Sequence, residues 1–147
     1  MTPTQIDLIR IRWANVLPIA DTAAGLFYGR LFELDPKVER LFAHTDMAKQ
    51  RTILMQTLTV VVKSIDKLDQ LVPAVQALGR RHSGYGVAAA DYDTVGAALL
   101  WTLEQGLGAD FDAETRDAWA TAYAVLASVM IEASAEVDAA MVVETAA

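Results

Sequence analysis

Two helical stripes in this sequence carry a polar side chain where an apolar one is due. Leu71, Val75, Leu78 and His82 recur at helical spacing. At ~100° per residue they fall within a narrow wedge, so His82 points where the leucines point. Gln50, Leu54, Leu58 and Val61 span a wedge of about 80° by the same arithmetic, with Gln50 at its edge. A buried imidazole needs a partner for each nitrogen. One reading is a core histidine bonded to a backbone carbonyl; the other is a metal ligand. A lone histidine cannot hold bare zinc, and no His-x-x-x-His, Glu-x-x-His or carboxylate cluster accompanies it. It suffices for a metal that brings most of its own ligands, as haem iron does. Gln50 and Tyr28 are then candidates for polar groups at the open face. Their alternatives are an exposed first-turn glutamine and a boundary tyrosine whose hydroxyl reaches water.

Helices must position these residues. Thr2-Pro3-Thr4-Gln5 is a capping-box start for a helix carrying Ile6, Ile9, Trp13 and Val16, which Pro18 ends or kinks. A helix from near Asp21 carries Leu26, Phe27, Tyr28, Leu31 and Phe32. Asp35-Pro36 opens a short helix with Val38, Leu41 and Phe42. Thr45 or Asp46 caps the helix of Gln50, which ends near Ile65. The His82 helix follows, with Pro73 expected in its first turn, and Ser83-Gly84-Tyr85-Gly86 breaks its pattern. Asp91 is expected to cap a helix with Tyr92, Val95, Leu99 and Leu103, with Gly106 and Gly108 flanking its end. Asp112 caps the longest helix, whose face holds Trp119, Tyr123, Leu126 and Met130. The β-branched run of residues 57–62 keeps the helical period. These patterns predict one all-α domain over residues 1–147, with about six main helices and a fraying Ala-rich tail after about residue 136.

Composition narrows the function classes. The chain has 147 residues, 54% hydrophobic and 21% charged, with a net charge of −7. It has no cysteine, which excludes disulfides, thiolate metal sites and thioether attachment of a cofactor. No basic cluster exceeds Arg80-Arg81, so no nucleic-acid partner is expected. The longest uncharged run, Ala118 to Ile131, falls short of the ~18 residues of a membrane span. No membrane partner is expected, and no leader with a basic start and apolar stretch is visible. The cytoplasm is the expected location.

Several stretches together make the chain resemble the globin family, in particular bacterial single-domain haemoglobins and the globin module of flavohaemoglobins. LFYGRLFELDPKVERLF (26–42) is similar to the family's B and C helices, QRTILMQTLTVVV (50–62) to its distal E helix, LGRRHSGYGV (78–87) to its F helix and corner, and DAWATAYAVLASVM (117–130) to its H helix. The likeness spans about Thr4 to Met130 and implies a three-over-three helical fold around a haem pocket.

The resemblance implies roles residue by residue. His82 is the proximal iron ligand, and the Leu78 carbonyl takes its Nδ1 proton, fixing tautomer and ring orientation. Tyr28 and Gln50 are the polar distal pair, donating to a partly negative diatomic ligand. Phe42, Leu54, Leu78, Val87, Tyr92 and Val95 line the pocket. Arg81 is a partner for the haem propionates, or else a solvated surface arginine. With glutamine a poor iron ligand, a five-coordinate ferrous haem is expected. His44 is assigned a structural or surface role. One departure stands out: Ser134 occupies the position of the glutamate that supports the proximal histidine in the flavohaemoglobin-like group. Glu132 and Glu136 lie ~200° around the helix from it. That departure favours ligand binding over strongly activating chemistry.

The implied cofactor is a non-covalent b-type haem, and the implied ligands are O2, NO or CO. Reversible oxygen binding for storage or delivery is the leading function, with no catalytic residue assigned. The alternatives are a nitric oxide dioxygenase working with a separate reductase, since 147 residues leave no room for a fused flavin module, a gas sensor, and a haem-free bundle acting through partners. Oligomeric state is left open.

Overall fold

A computed structural model describes residues 1–84 and 87–135, together with the backbone of residues 136–146. Its elements are α1 (Pro3–Val16), α2 (Ala20–Leu34), α3 (Pro36–Glu39), α4 (Met47–Lys63), α5 (Leu68–Gly84), α6 (Ala89–Leu107) and α7 (Ala113–Ala146), joined by short 3-10 turns. Six long helices and the short α3 account for the fold, with no strand among the described residues. The packed pairs are α5 on α7, α2 on α6, α1 on α7 and α2 on α4, the three-over-three arrangement.

Local chemistry sets most helix starts. Thr2 and Gln5 cap α1 reciprocally, each side chain accepting the other's backbone N–H. The Asp35 carboxylate accepts from the Lys37 N–H, that of Asp46 from Ala48 and Lys49, and that of Asp112 from Thr115. Pro18 sits in the 3-10 turn Leu17–Ile19, between α1 and α2.

Three boundaries differ from the expectation. Ala88, not Asp91, is the N-cap of α6; Asp91 sits one turn in and accepts the Ala88 N–H at 2.8 Å. An acidic side chain satisfies first-turn donors from either place. Pro73 lies in the second turn of α5, because the helix starts at Leu68. The proline removes the donor to the carbonyl of Asp69, an exposed residue in the first turn. α4 stops at Lys63, and Ile65 belongs to the following 3-10 turn, buried against the core.

The core joins Ile9, Trp13, Phe27, Leu31, Leu103 and Trp119, with the two indole rings 5.8 Å apart. By length and composition, Ala113–Ala135 of α7 is long and apolar enough to cross a membrane, a stretch that the uncharged-run criterion passes over. In this fold its Ala118, Trp119, Ala122, Ala127 and Ala133 are buried among the other helices. α7 runs to Ala146, past residue 136, where the sequence predicts a fraying tail; the side chains from residue 136 on lie outside the described residues.

α5 and α7 approach very closely at Gly79. A Cβ there would meet the Met130 carbonyl oxygen at 2.5 Å, inside any van der Waals contact. Gly79 thus lets α7 run against the helix that carries His82.

Candidate functional site

α5 delivers His82 in its last turn. The ring Nδ1 lies 2.7 Å from the Leu78 carbonyl oxygen, one turn earlier. A carbonyl only accepts, so Nδ1 carries a proton; in the neutral ring the lone pair is then on Nε2. That is the tautomer a metal ligand requires. The Val87 N–H donates to the His82 carbonyl at 3.0 Å and returns the chain toward α6.

α2 and α4 supply a second polar centre. The Gln50 Nε2 donates to the Tyr28 hydroxyl oxygen at 3.0 Å. Tyr28 is buried at 6% exposure, and burial raises its pKa above the usual 10, partly offset by the Gln50 bond. The phenol is therefore protonated at neutral pH. Its oxygen accepts from Gln50, so its own proton remains available for a ligand. The ring is held by Phe27 at 5.0 Å, Phe42 at 5.5 Å and Phe32 at 6.1 Å. Phe32 stands one turn after Tyr28 on the α2 stripe, and Phe32 and Phe42 are themselves 5.6 Å apart. Helical spacing shows Phe32 on that stripe, but its place beside Phe42 depends on tertiary packing.

The remaining candidates fall into two groups. Phe42, Leu54, Leu78, Val87 and Val95 are all half-buried, although their size would favour full burial. α4 and α5 are not packed on each other, although they follow one another in the chain. Partly uncovered apolar side chains, a single oriented imidazole and a buried donor pair are the groups that would fit a flat apolar cofactor supplying most of its own metal ligands. Among the described residues no group of three or more His, Cys, Asp or Glu is placed to hold a bare metal ion. Arg81 and His44 are exposed, and no ion pair of Arg81 occurs among the described residues.

Tyr92 is buried, and so is Ser134. Ser134 donates to the Gly79 carbonyl at 2.8 Å, and Tyr123 donates to the Tyr92 carbonyl at 2.6 Å. Burial raises the Tyr92 pKa above 10, partly offset by Ser134 beside it. No partner meets normal hydrogen-bond geometry at the Tyr92 hydroxyl among the described residues. Glu132 is exposed while Ser134 points inward, so Glu132 does not replace the missing carboxylate; the Glu136 side chain lies outside the described residues. The Ser134–Gly79 and Tyr123–Tyr92 bonds span 55 and 31 positions and have no local signature in the sequence.

The fold and these side chains define a class: a three-over-three helical domain with a histidine oriented in the last turn of α5 and a tyrosine–glutamine pair on α2 and α4. The Globin family model matches residues 25–130, and the chain belongs to the globin family. It is 32% identical over 128 residues to the flavohemoprotein of Bacillus subtilis, covering 86% of this chain and 32% of that one. It is 28% identical over 138 residues to the flavohemoprotein of Vibrio cholerae, covering 90% and 34%. The chain thus spans about a third of the length of these relatives. Among solved structures, a bacterial globin from Campylobacter jejuni superposes with a TM-score of 0.81 at 25% identity, over 92% of this chain and 98% of that one. An engineered carbene transferase from Rhodothermus marinus, described as a candidate nitric oxide dioxygenase, gives 0.85 at 25% identity, over 97% and 99%.

Proposed function

We propose that the chain holds a non-covalent b-type haem through His82 and binds O2, or NO and CO, for oxygen binding, storage or delivery. The absence of cysteine supports the non-covalent form. When bound, the haem supplies an iron centre able to take a diatomic ligand. The protein's own residues do the rest. The Leu78 carbonyl orients His82 and keeps Nε2 as the ligating nitrogen. Phe42, Leu54, Leu78, Val87 and Val95 offer the apolar contact. Gln50 holds the Tyr28 oxygen, so the Tyr28 proton is aimed at the ligand space rather than spent within the protein. A donor fixed in a dry site costs little reorganisation when it meets partial negative charge. Glutamine is a weak iron ligand, so the ferrous form is five-coordinate in this reading.

The observation that carries the reading is the 3.0 Å bond from Gln50 to Tyr28. The test is the absorbance spectrum of the purified protein, with a strong band near ~400 nm expected. Failure to bind haem on titration overturns the reading, and a six-coordinate low-spin ferrous spectrum overturns the open site.

A second reading is a nitric oxide dioxygenase working with a separate reductase. The names of the flavohemoprotein relatives and of the Rhodothermus marinus structure favour it. Two measurements separate it from oxygen delivery: NO consumption by the oxygenated protein, and recovery of ferrous iron with a cellular reductase fraction. Sustained turnover with the reductase selects the enzyme. Exhaustion after one equivalent selects delivery.

A further inference from the structure

α4 carries Gln50 and Leu54, and it is not packed on α5, its successor in the chain. Side-chain bonds tie it instead to α1 and α2. Two of these ties lie at the surface. Arg51 meets Asp21 at 3.2 Å, with the Asp21 side chain 85% exposed, and Arg10 reaches the Lys63 carbonyl at 3.0 Å. Exposed charged contacts of this kind hold geometry weakly.

A third tie is buried. The Trp13 indole N–H donates to the Thr59 hydroxyl oxygen at 3.1 Å, and that hydroxyl donates to the Met55 carbonyl at 2.7 Å, one turn earlier in α4. Trp13 is 3% exposed, and Met55 is buried with it. An indole nitrogen only donates and a carbonyl only accepts, so the direction of both bonds is fixed. A threonine hydroxyl that bonds the carbonyl four residues back bends its helix. Trp13 therefore holds the residue that sets the bend in α4.

The lever from this bend to the distal pair is long. Met55 and Thr59 centre on Thr57, and Gln50 stands two turns away, ~10 Å along the axis. A change of ~5° in the bend moves Gln50 by up to ~1 Å at that rise per residue. That takes the 3.0 Å bond from Gln50 to Tyr28 out to about 4 Å, beyond hydrogen-bond range.

We propose that Thr59 is a positioning residue for the distal pair: fixed by Trp13, its hydroxyl sets the bend of α4, and the bend sets whether Gln50 stays bonded to Tyr28. Where a diatomic ligand is bound, that bond governs the proton Tyr28 offers it, so Thr59 tunes ligand release. Only this last step rests on the haem reading.

Thr59→Val keeps the branched shape and removes both bonds, while Thr59→Ser keeps the hydroxyl. The purified protein is followed by NMR, in the diamagnetic ferrous CO form where haem is present. The Gln50 side-chain amide is expected to exchange its hydrogens several-fold faster in Thr59→Val and at the parental rate in Thr59→Ser. O2 dissociation is expected to be several-fold faster in Thr59→Val, with the C–O stretch of the CO form moving toward its Tyr28→Phe value; serine restores both. Trp13→Phe keeps a ring in the core and removes the indole donor, and carries the same expectation where valine harms folding. A Thr59→Val protein that melts earlier yet keeps the parental amide exchange, O2 rate and C–O stretch has lost a structural bond only, and the proposal falls. Equal change in the valine and serine variants also overturns it, since the hydroxyl is then not the cause. Faster amide exchange with an unchanged O2 rate overturns the ligand-release step. A protein that takes up no haem sinks the haem reading and leaves the amide exchange to decide the role of Thr59.

Discussion

The Gln50 amide and the Tyr28 hydroxyl, 22 positions apart, meet at 3.0 Å with the nitrogen facing the phenol oxygen. The direction of that bond decides what Tyr28 does. A phenol that accepts from glutamine keeps its own proton to donate, and burial keeps that proton bound above the usual pKa of 10. Tyr28→Phe removes the donor and leaves the ring. A hydrogen bond of about 1–3 kcal/mol to a partly charged ligand corresponds to an O2 dissociation rate roughly 5- to 150-fold faster. Stopped-flow displacement of O2 by CO measures it. CO is less polarised, so its dissociation changes less. An unchanged O2 rate removes Tyr28 from the role.

His82 is expected to be the iron ligand, through a nitrogen whose tautomer the Leu78 carbonyl sets at 2.7 Å. His82→Gly is therefore expected to lose the five-coordinate ferrous spectrum while keeping its helical content. Added imidazole restores the spectrum by occupying the vacated position. A His82→Gly protein with the parental spectrum and no need of imidazole would falsify the assignment.

Gly79 and Ser134 join α5 to α7 by two separate devices, and both are open to test by denaturant unfolding. Gly79→Ala places a Cβ 2.5 Å from the Met130 carbonyl oxygen, so the helices must part. Overpacking of this kind costs about 1–3 kcal/mol, occasionally more. Ser134→Ala removes the additional donor to the Gly79 carbonyl, which keeps its place in the α5 ladder, at a cost of about 0.5–1.5 kcal/mol. The two residues share a contact, so the double variant is expected to cost less than the sum. Full additivity would mean that the bond and the close approach are independent.

Helix starts were legible wherever the capping acceptor sits two or three residues from its donor, as at Thr2, Asp35, Asp46 and Asp112. At α6 the cap is Ala88, which has no side-chain acceptor, so the eye goes to Asp91, three residues on. Pro73 lies deeper than expected because α5 already starts at Leu68, inside a charged run that reads as a connection, with Asp69 in its first turn. The stripe of Leu71, Val75, Leu78 and His82 identified one unusual imidazole from spacing alone. The partnership of Tyr28 with Gln50 came only through the family resemblance, since period and spacing describe single helices. The Ser134–Gly79 bond, across 55 positions, depends on how two helices cross, and no local pattern encodes that.

Titration of the whole chain offers a final test with opposite signs at the two ends of the pH scale. The Asp112 carboxylate accepts the Thr115 N–H at 2.9 Å, which lowers its pKa below the ordinary value. A depressed folded pKa contributes stability above the unfolded pKa of about 3.9 and loses it as pH falls through the folded value. Asp112→Asn keeps a capping oxygen but cannot titrate. Its unfolding midpoint is therefore expected to fall less steeply below about pH 4 than the parent's. Tyr28, Tyr92 and Tyr123 are shifted the other way, chiefly by burial. A raised folded pKa contributes stability that is fully present below the unfolded value of about 10 and is lost as pH rises through the folded value. Between those two values the unfolded chain releases protons that the folded chain retains, so stability falls above about pH 10. Ultraviolet titration of phenolate is expected to show these tyrosines ionising late, together with loss of helix. Early ionisation of all the tyrosines in a chain that stays helical would place Tyr28 in water and leave its hydroxyl no dry pocket in which to act.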